Sequence, residues 1–134
     1  MSSVFSVRIK SDFSDISSVI DNILKLLNSL RVDKAVSFDI RLCLEEALIN
    51  AIKHGSKNNK DSPITVNYSV LGDKFEFSVE DNGNGFDYKK IPDPTDRANL
   101  LKTSGRGVYL IKYLMDGVSF NKKGNKITMI KYLK

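Results

Sequence analysis

The sequence predicts an α/β fold of the two-layer kind, an α+β sandwich with one mostly antiparallel sheet and helices on one face. Three observations predict it. Apolar residues switch between near-alternation and helical spacing in the order β-α-α-β-β-α-β-β. The later strands come in pairs joined by short polar turns, which is hairpin rather than crossover chemistry. The length of 134 residues, 41% hydrophobic and 28% charged, is that of one ordinary globular domain. A chain of that size buries roughly two-thirds of its unfolded surface and needs no metal or disulfide staple. Residues 1–134 are therefore expected to form a single domain.

Val4 to Lys10 alternates partly, with Phe5, Val7 and Ile9 on one side, and reads as the first strand. Ser11 to Ser14 is mostly polar. Ile16, Val19, Ile20, Ile23, Leu24, Leu27 and Leu30 then recur at helical spacing. Asp33 is placed to cap a second helix, whose stripe is Val36, Ile40, Cys43, Leu44, Ala47, Leu48, Ala51 and Ile52, with Gly55 placed to end it. Ile64, Val66, Tyr68 and Val70 alternate, Leu71 to Lys74 turns, and Phe75, Phe77 and Val79 alternate again. Asp81 to Gly85 is a glycine-rich break. Asp87 to Thr103 is too long and irregular for a simple connector and reads as a lid. Ser104 is placed to cap a third helix from about Gly105 to Met115, and Val118–Asn121 with Lys126–Leu133 form a last hairpin.

Composition excludes several classes. Cys43 is the single cysteine, so there is no internal disulfide framework and no multi-cysteine zinc site. No apolar run approaches the about 20 residues that span a bilayer. The N-terminal residues lack the basic and apolar regions of a secretory signal, so a cytoplasmic protein without membrane attachment is expected. The net charge of +5 sits entirely beyond Gly117, on Lys122, Lys123, Lys126, Lys131 and Lys134; residues 1–116 balance at 16 basic and 16 acidic. A basic final hairpin reads as a solvated edge whose lysines discourage edge pairing. With only Phe120 and Tyr132 there it offers no stacking platform, so direct nucleic-acid binding is not expected.

Three segments carry chemistry. In Glu45-Glu46-Ala47-Leu48-Ile49-Asn50-Ala51-Ile52-Lys53-His54-Gly55, residues Glu46, Asn50 and His54 are four apart and share one helix edge. An Asn oxygen is a hard neutral ligand suited to Mg²⁺, and a Glu can orient or deprotonate a hydroxyl. An exposed polar edge with a Glu–Asn hydrogen bond is the plainer reading of that stripe. In Glu80-Asp81-Asn82-Gly83-Asn84-Gly85-Phe86, glycines follow a strand and let backbone approach a ligand, while an Asp at a strand end can accept from an exocyclic amine. The same loop can equally be a connector. In Thr103-Ser104-Gly105-Arg106-Gly107-Val108, glycines at a helix start expose N–H groups where the dipole favours an anion. Neither a Walker loop nor a Gly-x-Gly-x-x-Gly after the first strand is present.

Taken together and in this order, the three segments resemble the N, G1 and G2 boxes of the GHKL ATP-binding superfamily. The nearest resemblance is to the anti-sigma factor serine/threonine kinases of bacterial partner switching. Residues 46–55 fit the form Glu-Ala-x-x-Asn-Ala-x-x-His-Gly at every fixed position. Asp81, Gly83 and Gly85 fit Asp-x-Gly-x-Gly, Ser104 to Gly107 fit Ser-Gly-x-Gly, and Asp93-Pro94 with Asn99-Leu100-Leu101 is similar to the family's lid. Thr103 departs from the arginine that the sporulation branch often carries before Ser-Gly.

The resemblance implies a Bergerat-type ATP-binding fold with ATP between the helical layer and the lid. It implies that Asn50 coordinates Mg²⁺, that Asp81 binds the adenine amine, and that Gly83 and Gly85 pass beneath base and ribose. Gly105, Arg106 and Gly107 would give backbone N–H groups to the phosphates, and Glu46 would be the general base. It further implies a protein serine/threonine kinase that phosphorylates a STAS-type anti-sigma factor antagonist and sequesters a sigma factor, with homodimerisation common in the family. Glu45, about 100° around the helix from Glu46, is expected at the surface, Cys43 in the core, and His54 in a structural role. Two other readings stay open on residues alone. One is a nucleotide-gated binding module that transfers nothing; the other is the ATP-binding domain of a two-component histidine kinase, which about ten residues ahead of the first helix argue against.

Overall fold

A computed structural model describes residues 2–56, 61–82 and 106–134. Strand β1 (Ser2–Lys10) leads into helices α1 (Phe13–Ser29) and α2 (Lys34–Asn50), and α2 runs on as one π turn, Ala51–Ser56. Strands β2 (Pro63–Leu71) and β3 (Lys74–Asp81) follow, then helix α3 (Arg106–Leu114) and strands β4 (Gly117–Phe120) and β5 (Lys126–Tyr132). The five strands make one sheet in the order β1-β2-β3-β5-β4, with every pair antiparallel. The α/β class and the element order are those the sequence predicts.

Period-2 alternation turns Ile64, Val66, Tyr68 and Val70 of β2 inward, all of them buried. Their partners on β3 are Asp81, Val79, Phe77 and Phe75, so Asp81 ends the row that the helices cover. Facing this row are Ile16, Val19, Ile23 and Leu27 of α1, Ile40, Cys43, Leu44 and Leu48 of α2, and Ile111 of α3, all buried in one cluster. Full burial of a side chain such as Phe77 stabilises the fold by about 1.5–3 kcal/mol. Between β2 and β3 the chain turns on Gly72 and Asp73. Gly72 takes φ 61 there, a left-handed conformation that costs glycine nothing.

The helix ends depart in part from the expectations. Helix α1 begins earlier than its apolar stripe because Asp12 caps it, accepting from the N–H groups of Ser14 at 2.8 Å and Asp15 at 3.2 Å. Leu30, assigned to the stripe, is 44% exposed: it is the C-cap, where the chain leaves the helix. The turn after it is closed by Val32 N–H to Leu27 O and Arg31 N–H to Asn28 O, with Arg31 at φ 57 in the place glycine usually takes. Asp33 caps α2 as expected, accepting from Ala35 N–H at 2.8 Å. Gly55 does not stop the helix, which widens into the π turn and continues through Ser56.

The basic hairpin also needs correction. Strand β5 lies inside the sheet, between β3 and β4, and the short β4 is the edge. Lys131 stands opposite Phe75, on the face toward the helices, with its side chain only 16% exposed. Its ammonium donates to the Leu114 carbonyl at 2.7 Å and sits 3.8 Å from Asp39. That lysine joins β5 to α2 and α3. Among the described residues no helix is long and apolar enough to cross a membrane.

Candidate functional site

At the end of β3 the sheet and helices part to form an open cleft. Ala47, Asn50 and Ala51 of α2, Val108 of α3, and Val79 and Asp81 of β3 line it. Phe120, Gly124, Asn125, Lys126 and Ile127 of the β4–β5 hairpin close the remaining side. Mostly apolar walls with a few convergent polar groups are what a small-molecule site requires. Another hollow, among Arg31, Asp73 and Lys134, lies at the other end of the sheet and is lined by none of the candidate residues.

Asp81 reaches the cleft because it closes β3 on the helix-facing row, one alternation beyond Val79. Its backbone is held from both sides by Asn125. Asp81 N–H donates to the Asn125 carbonyl at 2.9 Å, and Asn125 Nδ2 donates back to the Asp81 carbonyl at 2.7 Å. Behind Asn125, Asn121 Oδ1 accepts from the N–H groups of Gly124, Asn125 and Lys126 at 2.9, 3.0 and 3.1 Å. Asn121 Nδ2 donates to Asn125 Oδ1 at 2.7 Å. Each such bond is worth about 1 kcal/mol net, and together they fix the hairpin turn against the end of β3.

Glu46 and Asn50 lie one helical turn apart near the end of α2. Asn50 lines the cleft; Glu46 does not and lies instead against α3. A Cβ added at Gly107 would fall 3.2 Å from Glu46 Cδ and would collide with Glu46 Oε2. The absence of a side chain at 107 is therefore what admits the Glu46 carboxylate to the first turn of α3. The α-helical spacing that linked Glu46, Asn50 and His54 stops at Asn50, since the next turn is a π turn. Glu45 is paired with Arg41 across 2.9 Å on the exposed side of α2, as its angular position implied.

Cys43 is fully buried on the inner face of α2. Burial, and after it the charge of Asp39, pushes its thiol up to about 12, so it is an inert core residue. Burial likewise raises the Tyr68 phenol. Among the described residues no group of three or more His, Cys, Asp or Glu is placed to hold a metal ion.

Of the residues singled out from sequence, the fold brings Asn50 and Asp81 to one cleft, and Glu46 and Gly107 into contact beside it. Arg106 opens α3. Gly83, Gly85 and Gly105, the lid 87–103 and Ser104 lie outside the described residues. Sequence reasoning missed Asn121, Asn125 and Lys126. The run Asn121-Lys122-Lys123-Gly124-Asn125 is legible as a turn, but no local pattern shows that it docks on Asp81, 44 residues away.

The sequence model of the histidine kinase-like ATPase domain family matches residues 9–131. The serine-protein kinase RsbW of Listeria monocytogenes serovar 1/2a is 34% identical over 102 residues, 71% of this chain and 65% of that protein. The serine-protein kinase RsbW of Staphylococcus aureus is 34% identical over 104 residues, 72% of this chain and 65% of that protein. The chain thus spans about 65% of the length of these curated relatives. A crystal structure of the RsbU and RsbW domains of a Mycobacterium tuberculosis protein superposes with a TM-score of 0.65. It covers 96% of this chain and 31% of that one at 16% identity, a likeness of fold.

Proposed function

This chain belongs to the histidine kinase-like ATPase domain family, and on that premise we propose that it is an ATP-dependent protein serine/threonine kinase acting as an anti-sigma factor. Its acceptor is a serine or threonine of a STAS-type anti-sigma factor antagonist, and its second partner is a sigma factor. The observation that carries this reading is the meeting of Asn50 and Asp81 in one cleft, with Glu46 one turn before Asn50 and against Gly107. The serine-protein kinase names of the relatives support the choice of acceptor.

Phosphoryl transfer asks a protein mainly for alignment and charge neutralisation. Asp81, fixed at the end of β3, accepts a hydrogen bond from the adenine amine, and the apolar walls Ala51, Val79 and Ile127 enclose the base. N–H groups at the start of α3, those of Arg106 and Gly107, meet the phosphates. Asn50 lines the cleft and would offer Mg²⁺ one hard, neutral oxygen, a donor type that suits the ion. When bound, Mg²⁺ supplies positive charge against the phosphates. Glu46 is the base that takes the proton of the attacking hydroxyl.

The test is transfer from γ-labelled ATP with Mg²⁺ to a STAS-domain protein encoded beside this chain. Label on the antagonist, reduced by roughly 10²–10⁴-fold in Glu46→Gln with ATP binding kept, is the expected result. Equal transfer by the variant overturns the base assignment. Tight ATP binding with a stable antagonist complex and no label would make the chain a nucleotide-gated binder instead.

A further inference from the structure

We propose that Asn125, oriented by Asn121, is a positioning residue for base recognition. In this role it sets the place from which Asp81 meets the exocyclic amine of an adenine nucleotide. The proposal rests on the ATP reading above and adds residues that the three sequence segments do not contain.

The β3–β5 ladder ends at the pair Glu80 and Lys126. One step further, regular pairing would set Asp81 opposite Asn125, each backbone N–H donating to the other's carbonyl. Only half of that pair is made by backbone, Asp81 N–H to Asn125 O at 2.9 Å. The other half is not, because the Asn125 N–H is turned to Asn121 Oδ1 at 3.0 Å as the hairpin bends away. Asn125 Nδ2 takes its place and donates to the Asp81 carbonyl at 2.7 Å. A side-chain amide completes the pair where the strand has already ended.

The geometry specifies asparagine. Its Oδ1 accepts from Asn121 Nδ2 at 2.7 Å, so its carboxamide is held at both ends and Nδ2 is aimed at Asp81. An aspartate there would set an acceptor against a carbonyl. Asn125 also lines the cleft beside Asp81, so the clamp acts on the base end of the site. Without it the Asp81 carbonyl loses its bond to the hairpin, and an acceptor that drifts by a fraction of an ångström loses much of its hydrogen bond.

The experiment is calorimetric binding of ATP and of inosine triphosphate to the full chain. In inosine triphosphate a carbonyl replaces the exocyclic amine, so the ATP preference reports the Asp81 contact. Asn125→Ala is expected to reduce ATP affinity about tenfold, the worth of one well-made hydrogen bond, with inosine triphosphate affinity unchanged. In an Asp81→Ala background the same substitution is expected to do nothing further. Asn121→Asp guards against a folding failure: its carboxylate still accepts the three turn N–H groups but reverses the Asn125 carboxamide, and the ATP preference is expected to fall. Equal loss for both nucleotides, or an unchanged preference in the Asn125 and Asn121 variants while Asp81→Ala abolishes it, overturns the clamp and leaves the ATP reading standing. A preference that survives Asp81→Ala overturns the base contact itself, and the clamp with it.

Discussion

The carboxylate of Glu46 rests on Gly107, in the space a side chain at 107 would occupy. Two segments that are 61 positions apart in the chain meet there, the end of α2 and the first turn of α3. Gly107 therefore does more than expose an N–H group: it makes room for the proposed base.

Gly107→Ala separates these two roles. Alanine fits helical backbone and is a better helix former by about 1 kcal/mol, so the fold is kept. The Glu46 carboxylate is displaced instead, because it is the flexible partner in the collision. Transfer to the antagonist should fall about 10²-fold while the thermal midpoint does not drop. Label-transfer rates beside a melting curve check this; normal transfer would mean that the contact has no part in catalysis.

Arg31→Gly should stabilise the protein. Arg31 is exposed and holds φ 57 in the turn that closes α1, where a Cβ is strained. Relieving that strain outweighs the extra freedom of glycine in the unfolded chain, for a net gain of about 1 kcal/mol. Urea denaturation measures it, and a lower midpoint would contradict the argument.

Lys131→Met removes the donor to the Leu114 carbonyl at the end of α3 and the cation near Asp39. The side chain is mostly buried, so the carbonyl left behind gains little from water. A loss of about 1–3 kcal/mol in denaturant unfolding is expected. No loss would mean that the carbonyl finds another partner.

The Cys43 thiol gives a pH signature. Its folded value is about 12 against 9.0 for the free group, so the folded chain keeps a proton that the unfolded chain gives up in between. Its contribution is fully present below pH 9 and is lost as pH rises toward 12, by at most about 1.4 kcal/mol per pH unit. Cys43→Ala lowers stability at neutral pH by leaving a void but should flatten the fall between pH 9 and 11. In the native protein at pH 8 a thiol reagent should react only as fast as the chain opens. Rapid labelling would show that the thiol is accessible.

Much of the fold was legible because burial on a strand has period 2 and on a helix 3.6, and both patterns are local. Ile64, Val66, Tyr68 and Val70 declare β2, and Ile40, Cys43, Leu44 and Leu48 declare the inner face of α2 without knowledge of what covers them. Asp33 was legible as a cap because capping is a bond to a backbone group two residues on. The end of α2 was not, because the chain continues through Gly55 as a π turn, whose spacing differs from the 3.6 period that the apolar stripe reports. Lys131 misled for the same kind of reason: a lysine on a terminal hairpin reads as solvated until Asp39 and the end of α3 are found beside it.

By itself the sequence determined the element order and the faces of α2 and β3, since each follows from spacing along one element; Glu46, Asn50 and Asp81 became candidates through the family resemblance of three segments taken together. Tertiary structure decided that Asn50 and Asp81 share a cleft, that Gly107 admits Glu46, and that Asn121 and Asn125 hold the end of β3. Those relations join residues tens of positions apart. Their physical basis is sheet order and the packing of α3 on α2, which no local periodicity encodes.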